Sequence, residues 1–231
     1  MIHAILFCLF AFGPAGAGKN DAQAIVRALE ARYRHASSLK AVFFQKYADG
    51  NGGVAAESGV VYFSRPGRMR WEYESPEKKL FLVDGTNVWF FVPADRTVSR
   101  AKMKESSDWR TPIAVLAGKA DLNQLCRRIE IVGAASGAGG AEERPTAAGD
   151  TVLRCQPREA GPDNPIRDVL LETDADAHLV RVLIRQTGNV ETEFRFGAWE
   201  ENLVIPEAKF HFEVPAGVAV VDEASLADAL H

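Results

Sequence analysis

The sequence has no long hydrophobic run, which argues against a membrane-spanning helix. Its first apolar run, Ala4 to Phe12, has nine residues, whereas a helix that crosses a bilayer needs about 20. The run is followed by Gly13-Pro14 and then by small residues up to Ala17, a pattern typical of a secretory signal peptide. We therefore predict a signal peptide over residues 1–17 and one mature domain over residues 18–231.

An excess of positive charge is also lacking, which argues against a nucleic-acid partner. The chain has 27 Lys and Arg against 31 Asp and Glu, a formal net charge of −4, and phosphate backbones attract the opposite sign. The arginines of SRPGRMRWEYESP, residues 64–76, alternate with apolar residues, so that Arg68, Arg70, Glu72 and Glu74 share one face of a predicted strand. We interpret that face as a solvated surface whose charges neutralise one another.

No motif of a catalytic centre or a metal site is present. The chain contains no G-x-S-x-G elbow, no Walker sequence and no dinucleotide-binding fingerprint. The histidines after the predicted signal peptide, at 35, 178, 211 and 231, lack the spacing of metal ligands. We predict a protein without cofactor, metal or enzymatic activity. A pair of distant carboxylates, as in a secreted hydrolase, is the alternative that the sequence leaves open.

Cysteine is scarce, with three in the chain. Cys8 lies inside the predicted signal peptide, so the mature chain keeps Cys126 and Cys155, an even number in an oxidising compartment. Strands predicted at 127–132 and 151–156 would bring the two cysteines close together if they form an antiparallel hairpin. We predict a disulfide, with two buried free thiols as the alternative.

The chain is rich in two-residue alternation after one helical segment. A capping-box-like start at Asn20 and apolar residues at helical spacing, including Ile25 and Leu29, predict one amphipathic N-terminal helix. Turn residues such as Asp84-Gly85 separate the alternating runs that follow. The predicted strands are 39–48, 57–64, 68–74, 79–84, 87–92, 96–101, 127–132, 151–156, 167–173, 178–187, 190–198 and 208–213.

Residues 108–125 interrupt the alternation, because Ile113 and Leu116 fall at helical spacing behind Pro112. We predict two short helices there. About a dozen consecutive strands with this insert and one leading helix predict a single strongly curved sheet or barrel decorated by helices. An outer-membrane barrel is a poorer fit, since Arg and Glu recur along several strands and the chain ends in ASLADALH without a terminal aromatic strand.

Arg65 differs from the other arginines of its segment, because its odd number gives it the parity of Met69, Trp71 and Tyr73. A charge near an apolar interior needs partners, usually backbone carbonyls or a carboxylate. We expect Arg65 to find carbonyls at the ends of short helices that lie across the mouth of the barrel.

Several short motifs resemble, in their order and spacing, those of the periplasmic outer-membrane lipoprotein carrier family, LolA. They are F-F-Q-K at 43–46, Ser58-Gly59, R-P-G-R-M-R-W at 65–71, V-D-G at 83–85, V-W-F-F at 88–91, Thr111-Pro112 and A-K-F-H-F-E-V-P-A-G-V-A-V-V-D at 208–222. The resemblance extends over nearly all of the predicted mature chain.

The resemblance implies a mainly β fold, a single unclosed antiparallel β-barrel of about eleven or twelve strands. Its apolar cavity is covered by the N-terminal helix and the two mid-chain helices. The implied function is that of a monomeric periplasmic chaperone that binds the acyl chains of lipoproteins. An inner-membrane ABC transporter complex donates this cargo and an outer-membrane lipoprotein receptor accepts it, without a chemical reaction. The arginine that ties the helical lid shut in the family falls on Arg65.

Strand parity and the resemblance together assign the residues of the acyl-chain cavity. They are Phe43, Met69, Trp71, Trp89, Phe91, Ile113 and Leu116. An ordinary core is the alternative interpretation of such an aromatic stripe.

The loop at 133–150 is longer and richer in Gly and Ala than a hairpin turn requires. A carrier of other lipids or glycolipids, or a lipoprotein-sensing domain of an envelope-stress regulator, is the functional alternative.

Overall fold

A computed structural model describes residues 17–102, 121–133, 140–158 and 164–223 of the chain. Helix α1 spans Ala17–His35 and helix α2 spans Leu122–Leu125. The strands are β1 Ser38–Ala48, β2 Val54–Ser64, β3 Arg68–Ser75, β4 Lys79–Val83, β5 Asn87–Val92, β6 Thr97–Lys102, β7 Cys126–Val132, β8 Thr151–Pro157, β9 Ile166–Thr173, β10 Leu179–Gln186, β11 Glu191–Glu201 and β12 Ala219–Asp222. None of the described helices is long and apolar enough to cross a bilayer.

All twelve strands belong to one sheet, in the order β12-β6-β5-β4-β3-β2-β1-β11-β10-β9-β8-β7. Neighbouring strands are antiparallel, except that β12 pairs in parallel with β6. Strands β12 and β7 form the two edges, so the sheet stays open. The predicted unclosed β architecture is therefore confirmed, with one parallel pair in addition.

The C-terminal segment differs from the prediction. Residues 208–213 are not a strand, because the 3₁₀ turn Glu207–Phe210 covers their first half. The twelfth strand is formed further on, by Ala219–Asp222. Phe210 and Phe212 occupy alternate positions in the sequence because both side chains pack onto the sheet. A segment that lies on a sheet in this way has the same two-residue apolar period as a strand within the sheet.

Helix α1 packs against one face of the sheet, which we call the inner face; the other is the outer face. The buried residues of α1 are Ala22, Val26, Leu29 and Tyr33. Their intervals of three and four residues place them in one stripe along the helix. The same apolar cluster contains residues from β1 to β4 and from β7 to β11. Burial of this stripe, rather than helix propensity, holds α1 in place.

The outer face carries two smaller apolar clusters. One joins Leu82, Trp89 and Val98 of the sheet to Phe210 of the C-terminal segment. The other consists of Val152, Leu170 and Leu183, with Val132 packed against it. The outer face is therefore covered in part by chain segments, whereas the inner face is occupied by α1.

A disulfide joins Cys126, at the start of β7, to Cys155 of β8. The two cysteines are 29 residues apart in sequence, and a cross-link of that span restricts the unfolded chain by roughly 3.5 kcal/mol. We expect Cys126→Ser/Cys155→Ser to lose about that much unfolding free energy in urea titrations. Thiol titration of the denatured, unreduced wild-type protein should find both cysteines blocked, and reactive thiols there would contradict the bridge.

Candidate functional site

An aromatic cluster lies at the centre of the inner face. Trp71 is fully buried, and its ring centroid lies 4.8 Å from Phe43, 5.7 Å from Phe194 and 6.1 Å from Phe196. All these contacts are edge-on, the geometry that aromatic pairs favour. The middle of the inner face is therefore a broad apolar surface contributed by β1, β3 and β11.

Five of the seven residues predicted to line a cavity lie in the described chain. Phe43, Met69 and Trp71 lie on the inner face, as the parity of their strands indicated. Trp89 and Phe91 do not, because they pack on the outer face against Phe212 of the C-terminal segment. Their assignment to an inner cavity was wrong. Ile113 and Leu116 lie outside the described residues.

The register of two neighbouring strand pairs explains this error. Met69 of β3 pairs with Val83 of β4, so odd numbers of both strands point inward. Val83 then pairs with Val88 of β5, which gives the even-numbered residues of β5 the inner face. Val88 and Phe90 accordingly pack against the main cluster. Alternation within a strand cannot reveal such a change of parity across a turn.

Arg65 lies in the turn between β2 and β3, beside the C-terminal end of α1. Its side-chain Nε donates a hydrogen bond of 2.7 Å to the carbonyl oxygen of Ala36, the residue that follows the helix. Its backbone amide donates to the carbonyl of Ser37 at 3.0 Å. Partial burial lowers the pKa of the Arg65 guanidinium from its usual value. Arg65 therefore joins the sheet to the end of α1 by a charge-assisted bond.

Other polar contacts hold the last turns of α1. Arg32 donates from Nε to the Glu201 carboxylate at 2.6 Å, a pair whose side chains are partly exposed. The Leu179 amide donates to the hydroxyl of Tyr33 at 2.8 Å, and burial raises the pKa of that hydroxyl above its usual range. These hydrogen bonds join the C-terminal end of α1 to the sheet, while the apolar stripe of the helix packs on the inner face.

Sequence reasoning expected the N-terminal helix to cover the cavity but missed one contributor to the inner face. This is β11, where Phe194 and Phe196 stack with ring centroids 6.2 Å apart. Their alternation within residues 190–198 was a usable signal, but it does not tell which face of the sheet meets the helix.

The charged face of β3 is more enclosed than predicted. Arg70 pairs with Glu72 at 2.6 Å and also donates to the carbonyl of Lys209 at 3.0 Å. The Lys209 ammonium bonds Glu72 at 2.9 Å. Burial alone would raise the pKa of Glu72, but the hydrogen bonds from Lys209 and Arg70 lower it below its usual range. The charges do pair with one another, but under the C-terminal segment rather than in open solvent.

The described part of the chain offers no cluster of three or more His, Cys, Asp or Glu that could hold a metal ion. The site consists instead of an open sheet whose apolar inner face is covered by α1. Polar side chains bond the C-terminal end of this helix to the sheet. This architecture defines the class of half-barrel proteins in which a sheet encloses an apolar interior.

Comparison with known proteins shows which family this chain resembles. The family model for the outer membrane lipoprotein carrier protein LolA matches residues 34–138. An outer-membrane lipoprotein carrier protein of Nitrosospira multiformis is 28% identical over 218 residues, 94% of this chain and 97% of the relative. One from Dechloromonas aromatica is 29% identical over 191 residues, 82% of this chain and 84% of the relative. The chain is therefore similar to the LolA family model over residues 34–138 and to named outer-membrane lipoprotein carrier proteins over most of its length.

A solved structure supports the fold. An uncharacterized conserved protein of Thermus thermophilus superimposes with a TM-score of 0.53 at 13% sequence identity, covering 88% of this chain and 99% of that chain. At that identity the likeness concerns the fold alone.

Proposed function

We propose that this protein is a periplasmic carrier that binds the acyl chains of lipoproteins on the inner face of its sheet. The observation that carries the proposal is the continuous apolar inner face with α1 packed into it. In this proposal α1 occupies the site when no cargo is bound and is displaced when acyl chains enter. Similarity to relatives that are called outer-membrane lipoprotein carrier proteins supports it.

The energetics suit a carrier that must release what it binds. Each buried CH₂ of an acyl chain contributes about 0.8 kcal/mol, so one long chain contributes around ten before ordering costs. The α1 stripe offers a competing burial, since a fully buried Val or Leu side chain is worth about 1.5–3 kcal/mol. Docking of α1 therefore offsets part of the free energy gained by burying an acyl chain, which moves transfer closer to balance.

The remaining assignments follow from the same proposal. The chain loses a signal peptide over residues 1–17, and residues 18–231 work in the periplasm as a monomeric lipoprotein-binding domain. An inner-membrane ABC transporter complex loads the cargo and an outer-membrane receptor accepts it. No bond is made or broken at the carrier, so it has no catalytic residues.

Arg65→Leu is expected to slow cargo release. The substitution removes the bond to the Ala36 carbonyl, and a hydrogen bond to a charged group contributes about 1.5–3 kcal/mol. Because α1 then competes less well, release of a bound lipoprotein should slow by about 10- to 100-fold. The measurement is the rate of transfer of a fluorescently acylated lipoprotein from purified carrier to acceptor vesicles.

Arg68→Leu is the matched control for Arg65→Leu. Arg68 belongs to the same motif, but its guanidinium contacts Ser64 and the ring of Phe210 rather than the end of α1. This variant should release cargo at nearly the wild-type rate. Equal release rates for the two variants would remove Arg65 from the mechanism.

Native mass spectrometry of the protein purified from periplasm tests the cargo class. Recovery of triacylated lipoprotein is the expected result, with more of it on Arg65→Leu. A free glycolipid would make the protein a glycolipid carrier instead. A protein that carries nothing and also fails to bind a fluorescent acyl probe would contradict the proposed function.

A further inference from the structure

Two buried polar atoms on the inner face have no hydrogen-bond partner among the described residues: the indole Nε1 of Trp71 and the hydroxyl Oγ1 of Thr192. Both residues are essentially inaccessible to solvent. Another polar group of the same face is satisfied, since the Tyr73 hydroxyl donates to Gln45 Oε1 at 2.9 Å. The lack of partners is therefore confined to particular atoms and is not general to this face.

An unsatisfied buried donor is costly, by about 1–3 kcal/mol, and native proteins keep few of them. The Trp71 ring is surrounded by aromatic side chains, and their π faces are weak acceptors at best. Thr192 lies two residues before Phe194 on the same face of β11, and the Phe194 ring is 5.7 Å from that of Trp71. Both donors thus lie on the inner face, one inside the aromatic cluster and the other on the strand that contributes Phe194 to it.

We propose that Trp71 Nε1 and Thr192 Oγ1 bind the carbonyl oxygens of ester- or amide-linked acyl chains. This inference rests on the proposed function, in which acyl chains bind on the inner face that contains both atoms. An acyl chain is apolar except at its carbonyl, and a carbonyl transferred to an apolar interior requires a donor. A free N–H and a free O–H are the groups that it requires.

The same donors favour loading. With α1 docked, both atoms are buried without a partner, so the empty form carries a desolvation cost. A bound acyl carbonyl removes that cost, whereas a hydrocarbon chain has no acceptor and an ether has none at the position of the carbonyl. The site should therefore distinguish acyl chains from alkyl chains of equal length, a selectivity that apolar area alone cannot supply.

The test compares two soluble lipids by calorimetric titration of the full mature protein with its disulfide intact. They are dioctanoylglycerol and the dioctyl ether of glycerol, which differ in their two carbonyl groups. The ester should bind about 2- to 12-fold more tightly, the equivalent of one net hydrogen bond. Thr192→Val and Trp71→Phe should each reduce this preference.

Trp199→Phe is the matched control, because the Trp199 indole N–H already donates to the Leu179 carbonyl at 3.0 Å. This variant should keep the wild-type preference for the ester. If the wild-type protein binds both lipids equally, or if Thr192→Val and Trp71→Phe keep the full preference, the inference is wrong while the proposed function stands. If neither lipid binds, the proposed function fails and the inference with it.

Discussion

Leu29→Ala is expected to lower the stability of the protein and to raise its affinity for acyl chains at the same time. Leu29 is fully buried in the middle of the α1 stripe, and such a truncation costs about 2–5 kcal/mol. Much of that loss falls on the docking of α1, which in the proposed function is the helix that cargo displaces. Apparent affinity scales with the fraction of molecules whose site is open, so acyl binding should strengthen about tenfold or more.

Leu183→Ala separates this effect from general destabilisation. Leu183 is equally buried, but it belongs to the outer-face cluster with Val152 and Leu170. Urea titration should show similar losses of unfolding free energy for both variants, and titration with a fluorescent acyl probe should show tighter binding for Leu29→Ala alone. If Leu29→Ala binds the probe no better than Leu183→Ala, α1 does not compete with the cargo.

Glu172→Gln is expected to be the most destabilising substitution of a charged residue, at about 3–5 kcal/mol. Glu172 of β9 pairs with Arg181 Nε of β10 at 2.7 Å, and both side chains are buried. Glu172 also accepts a bond of 2.7 Å from the Thr146 hydroxyl, and Arg181 donates to the Glu142 carbonyl at 2.6 Å. The neutral amide would leave the Arg181 charge buried without its counter-ion.

Glu200→Gln is the exposed counterpart. Lys40 and Glu200 form an ion pair of 2.6 Å whose side chains are 32% and 53% exposed, and exposed pairs contribute about 0–1 kcal/mol. Urea titration should therefore separate the two variants clearly. Acyl affinity should be unchanged in Glu172→Gln, since the pair lies on the outer face. Equal losses for both variants would contradict a structural role for the buried pair.

The parts of the fold that depend on local periodicity were predictable from sequence. The alternation of β3 assigned Met69 and Trp71 to one face, and the structure places both on the inner face. Arg65 was expected to reach carbonyls at the ends of short helices across the barrel mouth, and its side chain donates to a carbonyl directly after the longer helix α1. The alternation of one strand contains the necessary information for Met69 and Trp71, whereas the partner of Arg65 is 29 residues away in sequence.

Features that depend on pairing between distant segments were not predictable in this way. Trp89 and Phe91 lie on the outer face because the β4–β5 register reverses their parity. Phe210 looked like part of a strand, although it packs across the sheet. The Glu172–Arg181 pair joins two strands whose charged residues resemble ordinary surface positions in the sequence. The register between strands, the packing of a loop segment onto the sheet and the pairing of buried charges are all set by the tertiary structure.

The distance between α1 and the sheet, measured with and without cargo, tests the central claim most directly. Spin labels attached through Ala28→Cys on α1 and Ala56→Cys on β2 occupy exposed positions and leave the buried stripe intact. Pulsed electron paramagnetic resonance should find one distance in the empty protein and a longer one once an acylated lipoprotein is bound. An unchanged distance in protein that is shown to carry acyl chains would contradict the displacement of α1 by cargo.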